Sequence, residues 1–195
     1  MHNPEATILL SDSRICTQDK SGRSYQSLSK PFSDIASFRD DTLAPGASFK
    51  YDVYSCCVLI PLVGDIECNT LCVSPGNAII INSSVTVSNP HNELVNYLCI
   101  EFYGSLNDGT SAFDIDACQN TLISIFPRVH IGKYTGRRDD VFKPAAKNTL
   151  VFVIEGAFEV ANRLLHPRDA LTLANVNEVE FEALSNDAIL LFMDT

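Results

Sequence analysis

The chain is 195 residues long, 46% hydrophobic and 19% charged, with nine Gly and nine Pro spread along it, a composition that excludes a disordered or low-complexity protein. Its net charge of −10, with six Lys and Arg against eleven Asp and Glu up to Gly104 and eight against thirteen beyond, disfavours a nucleic-acid backbone or an anionic membrane as partner. No apolar run approaches the ~20 residues that cross a bilayer. The N-terminus lacks a secretory pattern and the seven cysteines are odd in number, so reduced thiols in a cytoplasm are expected.

Strand signals dominate. They fall in chain order at residues 51–60, 77–81, 95–102, 122–131, 149–154, 157–160, 170–173, 178–183 and 188–193. These segments are short, rich in β-branched and aromatic residues, and separated by Gly, Pro, Asn or Asp. No window sustains a helical stripe over three turns; residues 113–122 are expected as a connection with one helical turn.

Sliding the chain against itself by 92 residues exposes an internal repeat. Leu62-Val63-Gly64-Asp65-Ile66-Glu67 falls on Ile154-Glu155-Gly156-Ala157-Phe158-Glu159, Pro75-Gly76-Asn77 on Pro167-Arg168-Asp169, and Tyr97-Leu98-Cys99-Ile100 on Ile189-Leu190-Leu191-Phe192. In each copy a strand meets a Gly that turns it back, a Pro corner leads to the next strand, and an apolar strand closes the unit. One small β unit built twice is the expected architecture.

The unit resembles the cupin double-stranded β-helix, a jelly-roll barrel, on Asp41-Thr42-Leu43-Ala44-Pro45-Gly46, hairpin Gly64 and Ser74-Pro75-Gly76-Asn77. The whole order is similar to the pirin-like bicupins, which include quercetinase-type proteins. Phe32-Ser33, Asp40-Asp41 and Phe49 match the entry to the first barrel. Asn148 to Gly156, Arg163-Leu164-Leu165 and Asp187 to Leu191 match the C-terminal cupin. The resemblance implies an all-β fold of two barrels in tandem: an N-terminal arm at 1–33 packing on the barrels, an N-terminal cupin at 34–104, a linker at 105–121 and a C-terminal cupin at 122–195.

Pirin-like enzymes hold one metal in the N-terminal barrel through a His-x-His pair and a later His-x-Glu pair. This sequence has Asp52 and Tyr54 at the first pair and Asn89 and His91 near the second, with His91 and Glu93 in an alternative register. In the C-terminal lobe Pro144, Ala146 and Phe181 fall at the ligand places. The resemblance, with this departure, implies a protein without strong catalysis or a bound metal. Asp52, Tyr54, Asn89, His91 and Glu93 would line a ligand-binding cavity of the N-terminal cupin. The alternative is a quercetinase-like dioxygenase with one divalent transition metal held by Asp52, His91 and Glu93. The expected partner is a small molecule, with neither nucleic acid nor membrane, and the chain a monomer or homodimer.

Other chemistry is weaker. Cys56-Cys57 and Cys68-x-x-x-Cys72 lack the Cys-x-x-Cys spacing of structural zinc and fit buried apolar thiols. His2 falls in the terminus and His166 at a corner, and neither His91 nor His130 is flanked as the base of a nucleophilic pair. The stretch 128–147 carries six basic residues; solvated strand ends and a loop account for them, with an anion-attracting rim as the alternative.

Overall fold

The computed structural model describes residues 5–52 and 56–195. Its secondary structure is β throughout, apart from one three-residue 3-10 turn at Ser11–Ser13. The chain divides into an N-terminal unit, Arg14–Phe113, and a C-terminal unit in which residues up to Ser13 join Asp114–Thr195. Among the described residues no helix is long and apolar enough to cross a membrane.

The first strand, β1 (Glu5–Leu9), belongs to the C-terminal unit. The N-terminal unit follows with β2 (Ile15–Asp19), β3 (Gly22–Gln26), β4 (Ile35–Leu43), β5 (Ser48–Tyr51), β6 (Cys56–Val63), β7 (Ile66–Cys68), β8 (Leu71–Val73), β9 (Asn77–Ile81), β10 (Val85–Ser88), β11 (Val95–Phe102) and β12 (Gly109–Ala112). Its large sheet has the order β12-β9-β6-β11-β4-β3-β2, and its small sheet β5-β10-β7-β8. The remaining strands are β13 (Thr121–Phe126), β14 (Val129–Tyr134), β15 (Asp139–Phe142), β16 (Thr149–Glu155), β17 (Phe158–Val160), β18 (Arg163–Leu165), β19 (Ala170–Ala174), β20 (Val179–Ala183) and β21 (Ala188–Asp194). They form the sheets β1-β19-β16-β21-β14-β13 and β15-β20-β17-β18. Position for position the two plans coincide, except that β2 has no C-terminal counterpart.

Within each unit the inward residues of both sheets interdigitate. Leu43, Tyr51, Leu59, Ile66, Val87 and Tyr97 form the N-terminal core. Tyr134, Phe142, Phe158, Leu173, Phe181 and Phe192 form the C-terminal one. The repeated glycines make the same turn: Gly64 has φ +72° and Gly156 φ +74°, a region costly for other residues. A Cβ on Gly156 would lie 2.9 Å from Ala188 Cα, and one on Gly64 2.7 Å from Val95 Cγ1.

Two expected strands are in fact divided. The segment 122–131 is the hairpin β13–β14, because Arg128 adopts φ +74° and reverses the chain after Pro127. The segment 51–60 is the end of β5 and the start of β6.

Candidate functional site

Strand β4 organises the interior of the N-terminal unit. Side chains alternate across a strand, so Ser37, Arg39 and Asp41 share the inward face of Leu43. Residues directly opposite on neighbouring strands share a face as well. Thr17, Ser24, Asp41 and Tyr97 therefore form one row across β2, β3, β4 and β11, and Ile15, Gln26, Arg39 and Cys99 the next. Glu101 stands opposite Ser37 one row further.

These rows carry a connected polar network. Tyr51 Oη donates to Asp41 Oδ2 at 2.5 Å and lies 2.5 Å from Tyr97 Oη. With the Tyr51 proton committed to Asp41, Tyr97 is the donor of the second bond. The Arg39 guanidinium sits 4.5 Å over the Tyr51 ring. Its Nη2 donates to the Glu101 carboxylate and, at 3.4 Å, to Cys99 Sγ, while Nε is 3.9 Å from Asp41 Oδ2.

Burial governs the charges. It pushes the Asp41 carboxyl above its ordinary range, and the Ser24 and Tyr51 hydroxyls and the Arg39 cation only partly pull it back. Burial also raises both phenols, helped for Tyr51 by Tyr97 and Cys99 and for Tyr97 by Asp41, so both stay protonated. Burial opposes the Arg39 cation, yet Cys99, Tyr51 and Glu101 outweigh it and keep Arg39 charged.

The hairpin β2–β3 extends the large sheet beyond the part that joins the small sheet in the core. Against that extension lies a cavity of about 240 Å³ lined by Ile15, Thr17, Ser24, Gln26, Ser37 and Arg39. Ser37 Oγ and Arg39 Nε, from two of its lining residues, and Asp41 Oδ1 behind them are buried without a hydrogen-bond partner, an arrangement that costs free energy.

The C-terminal unit has the same frame with other contents. The pairing registers align Arg39 with His130, Glu101 with Asp194, Asp41 with Gly132, Tyr97 with Leu190 and Cys99 with Phe192, so the closing strand sits one residue on from the repeat's placement of Tyr97 on Ile189, and strand order aligns Tyr51 with Phe142. His130 Nε2 is 3.7 Å from Asp194 Oδ2, and its ring is 5.0 Å from that of Phe142. The other places are apolar.

The residues chosen from sequence are placed apart. Asp52 is exposed and paired with Lys50 at 3.1 Å. Tyr54 lies outside the described residues. Asn89 is buried, but Nδ2 donates to the Leu43, Ala44 and Glu93 carbonyls and Oδ1 accepts from the His91 amide, so its side chain holds a turn. His91 and Glu93 lie together in a surface cleft of about 390 Å³ with Asp65, whose Oδ2 is 3.4 Å from His91 Nε2. Asp52 follows the Tyr51↔Val85 end of the β5–β10 ladder, whereas His91 lies beyond its Ser48↔Ser88 end, so the strand length separates them. Among the described residues no three His, Cys, Asp or Glu side chains converge to hold a metal ion.

The remaining sequence features are also resolved. All seven cysteines carry free thiols; burial pushes Cys68 up to about 12. His166 is exposed, and His2 lies outside the described residues. Within the basic stretch Lys133 bonds Asp116 and Asp187, and Arg137 lies 3.5 Å from Glu182. A neighbouring cavity of about 330 Å³ is lined by Asp139, Asp140, Glu159, Glu180 and Glu182.

Residues 136–194 match the quercetinase C-terminal cupin domain. No curated protein sequence matches the chain. Among solved structures, the bacterial pirin YhhW from Escherichia coli in complex with nickel(II) is similar at TM-score 0.79 and 15% identity, covering 97% of this chain and 99% of that one. Quercetin 2,3-dioxygenase from Acinetobacter baumannii is similar at TM-score 0.70 and 13% identity, covering 100% and 88%. GK1651 from Geobacillus kaustophilus reaches TM-score 0.73 at 14% identity, covering 98% and 96%. The chain has the fold of the pirin-like cupins, and its last third matches the quercetinase C-terminal cupin domain.

Proposed function

We propose that the protein binds a small molecule in the interior of its N-terminal unit and acts by recognition, as a sensor or regulator, without strong catalysis. The carrying observation is the 240 Å³ cavity walled by the polar side chains of Thr17, Ser24, Gln26, Ser37 and Arg39, above the buried polar row of Asp41 and Tyr97. Asp41, Tyr51 and Tyr97 are buried and none of them lines the cavity. They form a rigid floor that orients Arg39, as a binding site requires.

The family resemblance implies a metal in this unit, and the donor set fits one poorly. The interior face presents the Arg39 cation, two phenols held protonated and, among the described residues, no convergent set of three donors. No step is routed through a metal. The partner is a small molecule and not a nucleic acid or membrane, given the net charge of −10. Seven free thiols fit a reducing cytoplasm, and the chain acts as a monomer or homodimer.

The test combines metal analysis of aerobically purified protein, flavonol turnover with and without oxygen, and mapping of amide shifts on ligand addition. The expected result is no stoichiometric metal, no oxygen-dependent flavonol loss, and shifts confined to strands β2 to β4. Stoichiometric metal that disappears in an Asp52→Ala, His91→Ala variant, together with flavonol cleavage, would establish the dioxygenase instead.

A further inference from the structure

We infer that the ligand of the Arg39 cavity is a small, uncharged, polyhydroxylated molecule of the polyol or monosaccharide class, not an anion and not a planar aromatic. The inference rests on the cavity being the binding site, and deepens that reading by four observations.

The first is charge. Arg39 is the single cation of the lining, and it is already compensated by Glu101 and faced by Asp41. An added anion would meet two carboxylates for one guanidinium, so no net attraction is left for it.

The second is the geometry of the guanidinium. An arginine grips a carboxylate or phosphate by two parallel N–H groups, and either fork needs Nη2 as one of its two prongs. In this protein Nη2 is committed to Glu101 and Cys99. Nε is buried. What is left is Nη1 alone, whose single N–H donors suit a hydroxyl or ether oxygen.

The third is the lining itself. Thr17, Ser24 and Ser37 bring hydroxyls and Gln26 a carboxamide, each of which both donates and accepts. A surface of groups with both capacities is matched by a ligand whose own groups have both, and the hydroxyl is the smallest of these.

The fourth is size and shape. The cavity, at about 240 Å³, falls below the ~300–1,000 Å³ of sites for drug-sized ligands. Ile15 is the only apolar side chain in its wall, so a flat aromatic ring would bury its faces against polar groups. Such desolvation is unfavourable without compensating hydrogen bonds.

The experiment uses the full chain, isotopically labelled, and maps amide shifts while titrating probes to millimolar concentration. The neutral probes are myo-inositol, mannitol and glucose; glucuronate and glucose 6-phosphate are the charged counterparts; quercetin is the aromatic. The neutral probes are expected to shift the amides of Thr17, Ser24, Gln26 and Arg39 and to bind about tenfold more tightly than the charged ones. Gln26→Leu on β3 and Thr17→Val on the edge strand β2 should each weaken that binding several-fold while leaving the thermal midpoint unchanged. Equal or tighter binding of the charged probes, or binding of quercetin alone, at the same amides would overturn the ligand class and keep the cavity. No shift at those amides from any probe would overturn both.

Discussion

Where the N-terminal unit sets Arg39 against Glu101 and over Tyr51, the C-terminal unit sets His130 against Asp194 and beside Phe142. Around that shared kernel the two diverge: Asp41, Tyr97 and Cys99 in one are Gly132, Leu190 and Phe192 in the other. The C-terminal interior closes with Phe142, Phe158, Phe181 and Phe192 ring against ring, at centroid separations of 4.5 to 6.4 Å. The N-terminal interior instead carries the linked polar side chains of Arg39, Asp41, Tyr51 and Tyr97 across its sheet, while buried atoms without a partner occur in both units, at Asp41 in one and at Thr149 and Asp194 in the other. A duplicated frame thus supports a packed core in one copy and a hydrogen-bonding surface in the other, since function is carried by the site and not by the fold.

The largest expected effect tests whether Arg39 holds its unit together as the aromatic rings hold theirs. Arg39→Met strands Glu101 and Asp41, and should cost about 3 kcal/mol in urea unfolding. His130→Leu, at a looser pair, should cost about 1 kcal/mol or less. Equal losses would erase the contrast. Next, Gly156→Ala should cost about 2–3 kcal/mol, because the added methyl meets the backbone of Ala188 at positive φ. Gly64→Ala should cost about 1–2 kcal/mol, since its nearest obstacle is a side-chain methyl of Val95 and not backbone. Tyr97→Phe, which imports the apolar character of Leu190, should cost about 1 kcal/mol by removing the hydroxyl that donates to Tyr51.

The smallest effect concerns pH. The folded-state pKa of Asp41 is raised, so the folded protein binds this proton more tightly than the unfolded chain does. Its contribution to stability is full below the ordinary carboxylate pKa and is lost as pH rises through the raised value. Urea midpoints between about pH 4 and pH 7 should therefore fall less steeply in Asp41→Asn than in the parent. An unchanged slope would mean that Asp41 is as well solvated as a surface carboxylate.

The duplicated frame was legible in the sequence because it rests on backbone signals: the turn glycines Gly64 and Gly156 and the corners at Pro75 and Pro167 recur at one offset. The strands Asn77–Ile81 and Val95–Phe102 stood out because they are almost wholly apolar. Strand β4 was hidden for the opposite reason. Its inward positions are Ser37, Arg39, Asp41 and Leu43, so its alternation carries charge where a strand pattern expects hydrocarbon. The network it organises was missed with it. A Tyr at position 97 inside an apolar strand, needing a partner for its hydroxyl, was the one available signal. Choosing Asp52 depended on motif alignment, which cannot foresee that β5 ends at Tyr51 and leaves the next side chain in solvent beside Lys50.

Strand β1 enters the C-terminal sheet by pairing with β19, Glu5 opposite Ala174. During synthesis at ~5–20 residues per second, this segment emerges roughly 10–30 s before its partner exists. Throughout that interval Ala6, Ile8 and the neighbouring backbone amides stay without their ladder, while the N-terminal unit already has every strand it needs. The cell therefore handles a nascent chain in which a segment made before the N-terminal unit can dock only after that unit is complete.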